Sequence, residues 1–380
     1  MPIKFILGKA GTGKTTSTLT TLKALMEQGD IVPKSVICLA YTHSAVDNLK
    51  LKSSWPNQKS QWAFSTIHKY LKLPINKIVY RKIKEYIKYD YYIIDEISLI
   101  PLKIIDILFM LASRFKDSTF IFIGDLLQLP SINKDVKQIN FNKFKGWNNV
   151  DIKLSLNDCL KLVLYLNDTI YFNETFIKSD KMILTHNYRN NEHVQYIIND
   201  ILTNPENIKN YLIKVEDLKN YKSCDYVYLA SRYKYLKTLY NITKIKQNDE
   251  IIVECKIGEI FVKAGDILVA NENIEDMDLV NGEEYVLNDD WMNNEILLFN
   301  MKKFLPYNYI TIHKSQGKTL DKILLCIDDL FEISMLYTAL TRARTDIKLI
   351  CLGDINKEIT KLKNNNKLFN ILNGLLYTDT

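Results

Sequence analysis

The chain has 380 residues, 47% hydrophobic and 25% charged, which is apolar material enough for two or three domains and excludes the disordered class. Fifty basic side chains against forty-four acidic leave +6, a balance that permits a polyanionic partner without demanding one. Six cysteines are scattered with no CxxC pair, which argues against a disulfide framework or zinc module and fits a reducing compartment.

The start, MPIKFILGKAG, runs straight into a glycine loop, so no signal peptide is expected. The stretch LIPLKIIDILFMLA carries Lys103 and Asp106 and is too short to span a bilayer, so a soluble intracellular protein is expected. Ile3–Leu7 reads as a strand, followed by a helix over Lys14–Gln28 with Leu19, Leu22, Leu25 and Met26 on one face and Gly29 closing it. Val36–Ala40, Tyr91–Ile94 and Thr119–Ile123 are further apolar strands, interleaved with predicted helices at Ser44–Lys52 and Pro101–Arg114. Strands without polar alternation, separated by helices, imply a parallel sheet covered on both faces. The second half repeats the style. Met182–Leu184, Tyr226–Leu229 and Lys322–Ile327 each precede a helical pattern, the last over Ile333–Arg344, and Ile347–Cys351 closes a sheet. Between them, residues 251–299 read as closely spaced strands, with the turn NGEE followed by EYVL and EILLF. The expected fold class is α/β, with the second of two parallel-sheet domains interrupted by a small β-rich insertion.

Gly8-Lys-Ala-Gly11-Thr-Gly13-Lys14-Thr15 matches GxxxxGK[ST] and lies between an apolar strand and a helix. The glycines let backbone N–H groups close around phosphate oxygens, and the helix N-terminus adds positive charge. Lys14 would reach the β and γ phosphates, and the Thr15 hydroxyl would hold Mg²⁺. Tyr91-Tyr-Ile-Ile-Asp95-Glu96 is an apolar strand ending in two acids, at the sheet edge where such loops bind ligands. Asp95 would hold Mg²⁺ through its water shell, and Glu96 would polarise the attacking water. Phe122-Ile-Gly124-Asp125-Leu-Leu-Gln128-Leu-Pro130 ends the next strand with an acid and an amide.

Taken in order, GKAGTGKT, AYTHSAVDNL, STIH, DEIS, GDLLQLP, NYR, TIHKSQGKT and YTALTRA resemble the motif set of superfamily 1 helicases, closest to the RecD/Dda-type branch that moves 5′ to 3′. The resemblance spans roughly residues 3–354. It implies two RecA-like P-loop domains: residues 1–175, with a short pin element at 71–90, and residues 176–250 with 300–380. The β-rich insertion at 251–299 resembles an SH3-like module, with Glu284 where a glycine is common. ATP is implied to lie between the domains. Arg189 and Arg342 match arginines that touch the γ-phosphate, Gln128 matches a sensor of phosphate loss, and Thr16, Gln316 and Gly317 match positions near the nucleotide. Arg344 is expected on the surface. Thr42, His43, Asn48, Thr66 and His68 in the first domain, and Thr311, His313 and Lys314 in the second, match strand-contacting positions. Trp55, Trp62 and Phe64 are candidate stacking platforms, with burial as the alternative for each. His193 is expected on a helix surface. The pin is a hairpin around residues 75–87 with Tyr80 as wedge, or equally a lysine-rich amphipathic helix.

The implied activity is Mg²⁺-dependent NTP hydrolysis coupled to 5′-to-3′ movement on single-stranded DNA and unwinding of forked duplex. A viral-type RNA helicase and a strand-binding loading module are the alternatives, and a monomer is compatible. No glutamine-bearing motif precedes the first strand, so NTPs other than ATP are within what the resemblance allows.

Overall fold

Strands β1 (Ile3–Gly8), β2 (Val36–Ala40), β3 (Ala63–Thr66), β4 (Tyr91–Ile94), β5 (Thr119–Gly124) and β6 (Asp180–Leu184) form one all-parallel sheet in the order β3-β2-β4-β5-β1-β6. In the computed structural model the described residues are 3–30, 35–53, 62–73, 86–129, 180–221, 225–244, 249–279, 281–330, 332–364, 369 and 373. The inner strands are mostly apolar, as a sheet covered on both faces requires; every residue of β2 is buried, and Lys4 is the one exposed residue of β1. Helices α1 (Lys14–Glu27), α2 (His43–Ser53), the single turn α3 (Ile67–Tyr70) and α4 (Leu102–Arg114) supply the cover. Leu19, Leu22, Val46, Leu49 and Trp62 share a core with β2, where the Cys38 thiol acts as a small hydrophobe, its pKa pushed up chiefly by burial.

The chain divides into two units, Met1–Tyr188 with Leu368–Thr380, and Arg189–Lys367. This corrects the expected boundary at 175/176. Residues 180–184 pair with β1, Ile6 opposite Met182 and Gly8 opposite Leu184, so this strand completes the first sheet instead of opening the second.

The second unit has its own parallel sheet, order β13-β7-β14-β15, from β7 (Val227–Ala230), β13 (Tyr309–Thr311), β14 (Leu320–Cys326) and β15 (Ala343–Ile350). Helices α5 (Glu192–Thr203), α6 (Tyr233–Thr243), the turn α8 (Ile312–Ser315), α9 (Ile333–Leu340) and α10 (Ile355–Asn364) surround it. A hairpin, β8 (Ile251–Cys255) with β9 (Gly258–Val262), and an antiparallel sheet, β11-β10-β12, make the β-rich module. Its strands are β10 (Ile267–Ala270), β11 (Glu284–Val286) and β12 (Phe304–Pro306), so the module runs past 299 to 306.

EILLF is helix, α7 (Glu295–Asn300), where a strand was expected. The Asn294 carboxamide oxygen accepts from Leu297 N–H at 3.0 Å and starts the turn, and Leu297 and Asn300 are its buried positions at helical spacing. The helix expected to reach Arg344 stops at Leu340, and Arg342 lies in the turn to β15. Trp55, Tyr80, Pro130, Cys159, Cys224 and residues 74–85 of the pin lie outside the described residues.

Candidate nucleotide and strand sites

The sheet order places the carboxyl ends of β1, β5 and β4 side by side, so the three motifs of the first unit converge. Gly11 at φ 86° and Gly13 at φ 74° adopt the left-handed conformation that turns successive N–H groups inward. Gly8 has a different reason: a Cβ there would stand 2.5 Å from Leu184 O and 2.7 Å from Thr12 Oγ1. The Lys14 ammonium donates to Gly8 O at 2.7 Å and Lys9 O at 2.8 Å, holding the side chain inside its own loop. Thr15 Oγ1 donates to both carboxylate oxygens of Asp95, each at 3.1 Å, which joins the phosphate loop to the β4 acids across eighty positions of sequence. Thr16 is exposed on the first turn of α1.

Asp95 is buried, and burial pushes its carboxyl up to about 6, with Glu96 adding to the rise and Lys52 opposing it. Glu96 is one of four described non-glycine residues at positive φ, 52°, a strain found at functional turns. The turn after it abuts β5. A Cβ on Gly124 would meet Ile97 Cγ2 at 2.2 Å, so only glycine lets the two strand ends pack. Beyond it, the Asp125 carboxylate accepts from Leu127 N–H at 3.0 Å and from Gln128 Nε2 at 3.3 Å, fixing a buried Gln128. Two features escaped the sequence reading. One is the packing role of Gly124, and the other is Tyr188, whose N–H donates to Gly11 O at 2.8 Å and whose exposed ring flanks Gly13.

In the second unit the arginines meet the Gln316–Gly317 turn. Arg342, only 1% exposed, donates from Nε to Thr338 O at 3.0 Å, from Nη1 to Lys318 O at 3.3 Å and from Nη2 to Thr341 Oγ1 at 3.2 Å. Arg189 Nη1 donates to Thr341 O at 3.2 Å, Asn190 Nδ2 to Ala343 O, and Asn191 N–H to Arg344 O at 3.0 Å. Arg189, Asn190 and Asn191 are thus stapled to the turn that carries Arg342 and to the start of β15, and nearby Gln316 is buried and Gly317 has φ 82°. Arg344 is exposed on β15, and His193 is exposed on α5.

The strand candidates of the first unit follow the carboxyl ends of β2 and β3, and those of the second follow the carboxyl end of β13. Thr42 Oγ1 accepts from Ala45 N–H at 3.2 Å and starts α2, His43 is exposed on its first turn, and Asn48 is half-buried further along. Thr66 Oγ1 accepts from Lys69 N–H at 3.3 Å. Thr311 is buried at the start of α8, and Lys314 Nζ donates to Asn281 Oδ1 at 3.0 Å and Ala270 O at 3.4 Å in the β-rich module. Burial holds the imidazoles of His68 and His313 below their ordinary range, so both are neutral at neutral pH. Burial, reinforced by Lys318 and Lys256, brings the Lys314 ammonium down to about 8. Trp62 is a core residue, its Nε1 directed at Met26 Sδ at 2.9 Å, which removes it as a stacking platform, and Phe64 is half-buried against the same core. Among the described residues no cluster of three His, Cys, Asp or Glu could hold a metal, and no helix is long and apolar enough to cross a membrane.

Residues 1–134 match the AAA domain family, and residues 218–351 match the viral superfamily 1 RNA helicase core domain. The chain is 25% identical to the ATP-dependent DNA helicase Pif1 of Campylobacter jejuni, over 89% of this chain and 86% of that protein. It is 26% identical to the RecD subunit of the RecBCD enzyme of Buchnera aphidicola, over 93% of this chain and 71% of that protein. The chain is homologous to the Pif1 and RecD helicases of superfamily 1. Its fold agrees. The crystal structure of Pif1 helicase from Candida albicans superposes with a TM-score of 0.56 at 17% identity, covering 95% of each chain. A Pif1 structure solved for DNA unwinding at forked duplex gives 0.55 at 21% identity, over 93% of this chain and 89% of that one. The two parallel-sheet units are RecA-like domains.

Proposed function

We propose that this chain is an ATP-dependent DNA helicase that moves 5′ to 3′ on single-stranded DNA and opens forked duplex. The observation that carries this is the Thr15–Asp95 contact. It assembles a phosphate loop and a buried carboxylate into one nucleotide half-site, in a chain homologous to DNA helicases over most of its length.

The half-site suits a nucleotide with a hard divalent cation. A hydroxyl and a carboxylate 3.1 Å apart are all-oxygen donors of the kind Mg²⁺ takes, so Thr15 and Asp95 are the residues that would hold it. Bound there, Mg²⁺ supplies positive charge to the β and γ oxygens. Gly8, Gly11, Gly13 and Thr16 frame the phosphates, Lys14 exchanges the carbonyls of Gly8 and Lys9 for phosphate oxygens, and Glu96 orients the attacking water. Gln128, held by Asp125, senses the γ-phosphate. Arg189 and Arg342 offset charge on the transferring phosphoryl group, near Gln316 and Gly317. Thr42, His43, Asn48, Thr66, His68, Thr311, His313 and Lys314 hold the strand through its phosphates, a mode that positions without reading sequence. A threonine hydroxyl that accepts a cap N–H keeps its own proton for a phosphate oxygen. The β-rich module is the proposed SH3-like element.

The match of residues 218–351 to a viral RNA helicase core favours a second reading, RNA as the track. ATPase rates with single-stranded DNA, single-stranded RNA and no polymer, beside fork unwinding from either tail, separate the two. Greater stimulation by RNA would overturn the DNA assignment, and unwinding only from a 3′ tail would overturn the polarity. Lys14→Ala should lose turnover while retaining strand binding. Turnover unchanged in the variant would show that the hydrolysis does not arise at this loop and would leave the chain only a strand-binding, loading role.

A further inference from the structure

The β-rich module carries charge of the wrong sign for a nucleic-acid surface. Between Glu272 and Glu295 lie nine carboxylates and no lysine or arginine, in a chain whose net charge is +6. Beside these acids is an exposed apolar cluster. Phe299 is 81% exposed, Ile296 51% and Met292 50%. Ile296 and Phe299 are three apart on α7, one turn of the same face, while Leu297 and Asn300 point into the module core. Helix α7 packs against the turns Glu275–Met277 and Trp291–Asn293, so the exposed Glu275 and Asp276 border the apolar residues on one side and Met292, with Asp289 and Asp290 just before it, on another. Among the described residues none of Glu275, Asp276, Asp289, Asp290 or Glu295 is in an ion pair.

An apolar centre of Phe, Ile and Met inside a polar rim is the anatomy of a protein interface. The rim decides the partner. Unpaired carboxylates repel the phosphates of a strand or duplex and attract lysine and arginine. We propose that this face docks a basic amphipathic helix of a partner protein, whose apolar stripe covers Met292, Ile296 and Phe299 while its cations meet Glu275, Asp276, Asp289 and Asp290. No residue of this face is among those assigned to nucleotide or strand, so the partner recruits the motor without using a residue that holds its track.

The test uses the full chain and an 18-residue peptide of leucine and lysine with leucines at helical spacing. Controls are the same composition scrambled to abolish the stripe, and a leucine–glutamate version. The helical basic peptide should bind at low salt and weaken as salt rises. Ile296→Asp with Phe299→Asp should weaken it at least tenfold, and Asp289→Lys with Asp290→Lys at least fivefold, while strand-stimulated ATPase stays within twofold of the parent. Equal binding by parent and variants, or equal binding of the scrambled peptide, overturns the proposal. So does peptide binding that is absent while sedimentation shows self-association lost in Phe299→Asp, since the face would then belong to a second copy.

Discussion

Thr66-Ile67-His68-Lys69 and Thr311-Ile312-His313-Lys314 are the same four residues, one set in each unit. Each follows an edge strand, β3 or β13, paired in parallel with a strand that ends in Leu-Ala, with Ala40 opposite Thr66 and Ala230 opposite Thr311. Ile67 and Ile312 are both fully buried, and both histidines are half-buried with lowered pKa. The surroundings then diverge. Thr66 caps its short helix and Lys69 is exposed, whereas among the described residues Thr311 makes no cap bond and Lys314 is drawn into the β-rich module. Identical local sequence sets identical backbone geometry, and tertiary context sets the charge each copy presents.

The units also differ in what else they carry: the first has a phosphate loop after β1 and carboxylates after β4, and the second has arginines just before α5 and β15. The largest expected effect tests whether that difference is chemical. Arg342→Ala should lower kcat by about 10³ or more while nucleotide binding persists, since an arginine at the transferring phosphoryl group contributes ~10³–10⁵. Arg342 also ties Thr338 to Lys318, so a thermal melt must show the variant folded, and Arg342→Lys, which keeps charge but not the fork, should recover little. Turnover equal to the parent would confine the chemistry to the first unit and reduce the second to a scaffold.

Asp95 gives the next effect, in the opposite direction for stability and activity. Its folded pKa of about 6 lies above the ordinary carboxylate value, so its contribution to stability is full below the unfolded pKa and is lost as pH rises through 6. Asp95→Asn keeps an acceptor for Thr15 without the buried charge. At pH 8, without nucleotide or Mg²⁺, it should be more stable than the parent by ~2 kcal/mol, a Tm rise of about 4–8 °C. The gain should vanish below pH 4, and turnover should collapse. A lower Tm at pH 8 would show that the carboxylate's hydrogen bonds outweigh its desolvation.

The parallel strands and the phosphate loop were legible because their signals are local: unbroken apolar runs, and glycines at fixed spacing before a helix. The contacts that join motifs were not. Thr15 to Asp95 follows from strand order, which places β4 within reach of β1 only through β5. The boundary at 175/176 failed because Lys181-Met-Ile-Leu184 reads as any strand before any helix, and nothing local says that it pairs with β1. EILLF misled for a different reason. Its apolar run satisfies either period, and the deciding signal was Asn294, a capping residue just upstream. Arg342 was placed on a helix because YTALTRA is good helical sequence, yet Thr341 ends the helix and β15 takes over two residues later.

The difference between the two lysines predicts a pH effect confined to the second unit. With the Lys314 ammonium at about 8, its charge is present at pH 7 and largely gone at pH 9, so strand affinity should fall about three- to tenfold across that interval. Lys314→Arg should flatten the profile because a guanidinium does not titrate there. The salt slope for single strands, about −0.7 per phosphate contact, should lose close to one contact's worth at the higher pH in the parent only. A parent profile as flat as the variant's would remove Lys314 from the strand site and leave it as a strut between the motif and the module.

The smallest effect separates the two threonines. Thr66→Val removes a hydroxyl that accepts the Lys69 N–H and should cost ~1 kcal/mol of stability as well as weakening strand binding. Thr311→Val removes a hydroxyl that caps nothing among the described residues, so it should leave urea unfolding within about 0.5 kcal/mol of the parent while weakening strand binding by a comparable factor. Because valine is β-branched like threonine, the strand ends keep their shape, and what changes in each unit is one hydroxyl. Equal losses of stability at both positions would mean that Thr311 carries a structural bond equivalent to the Thr66 cap. Unchanged strand affinity at both would mean that the repeated Thr-Ile-His-Lys serves only to end two edge strands in the same way.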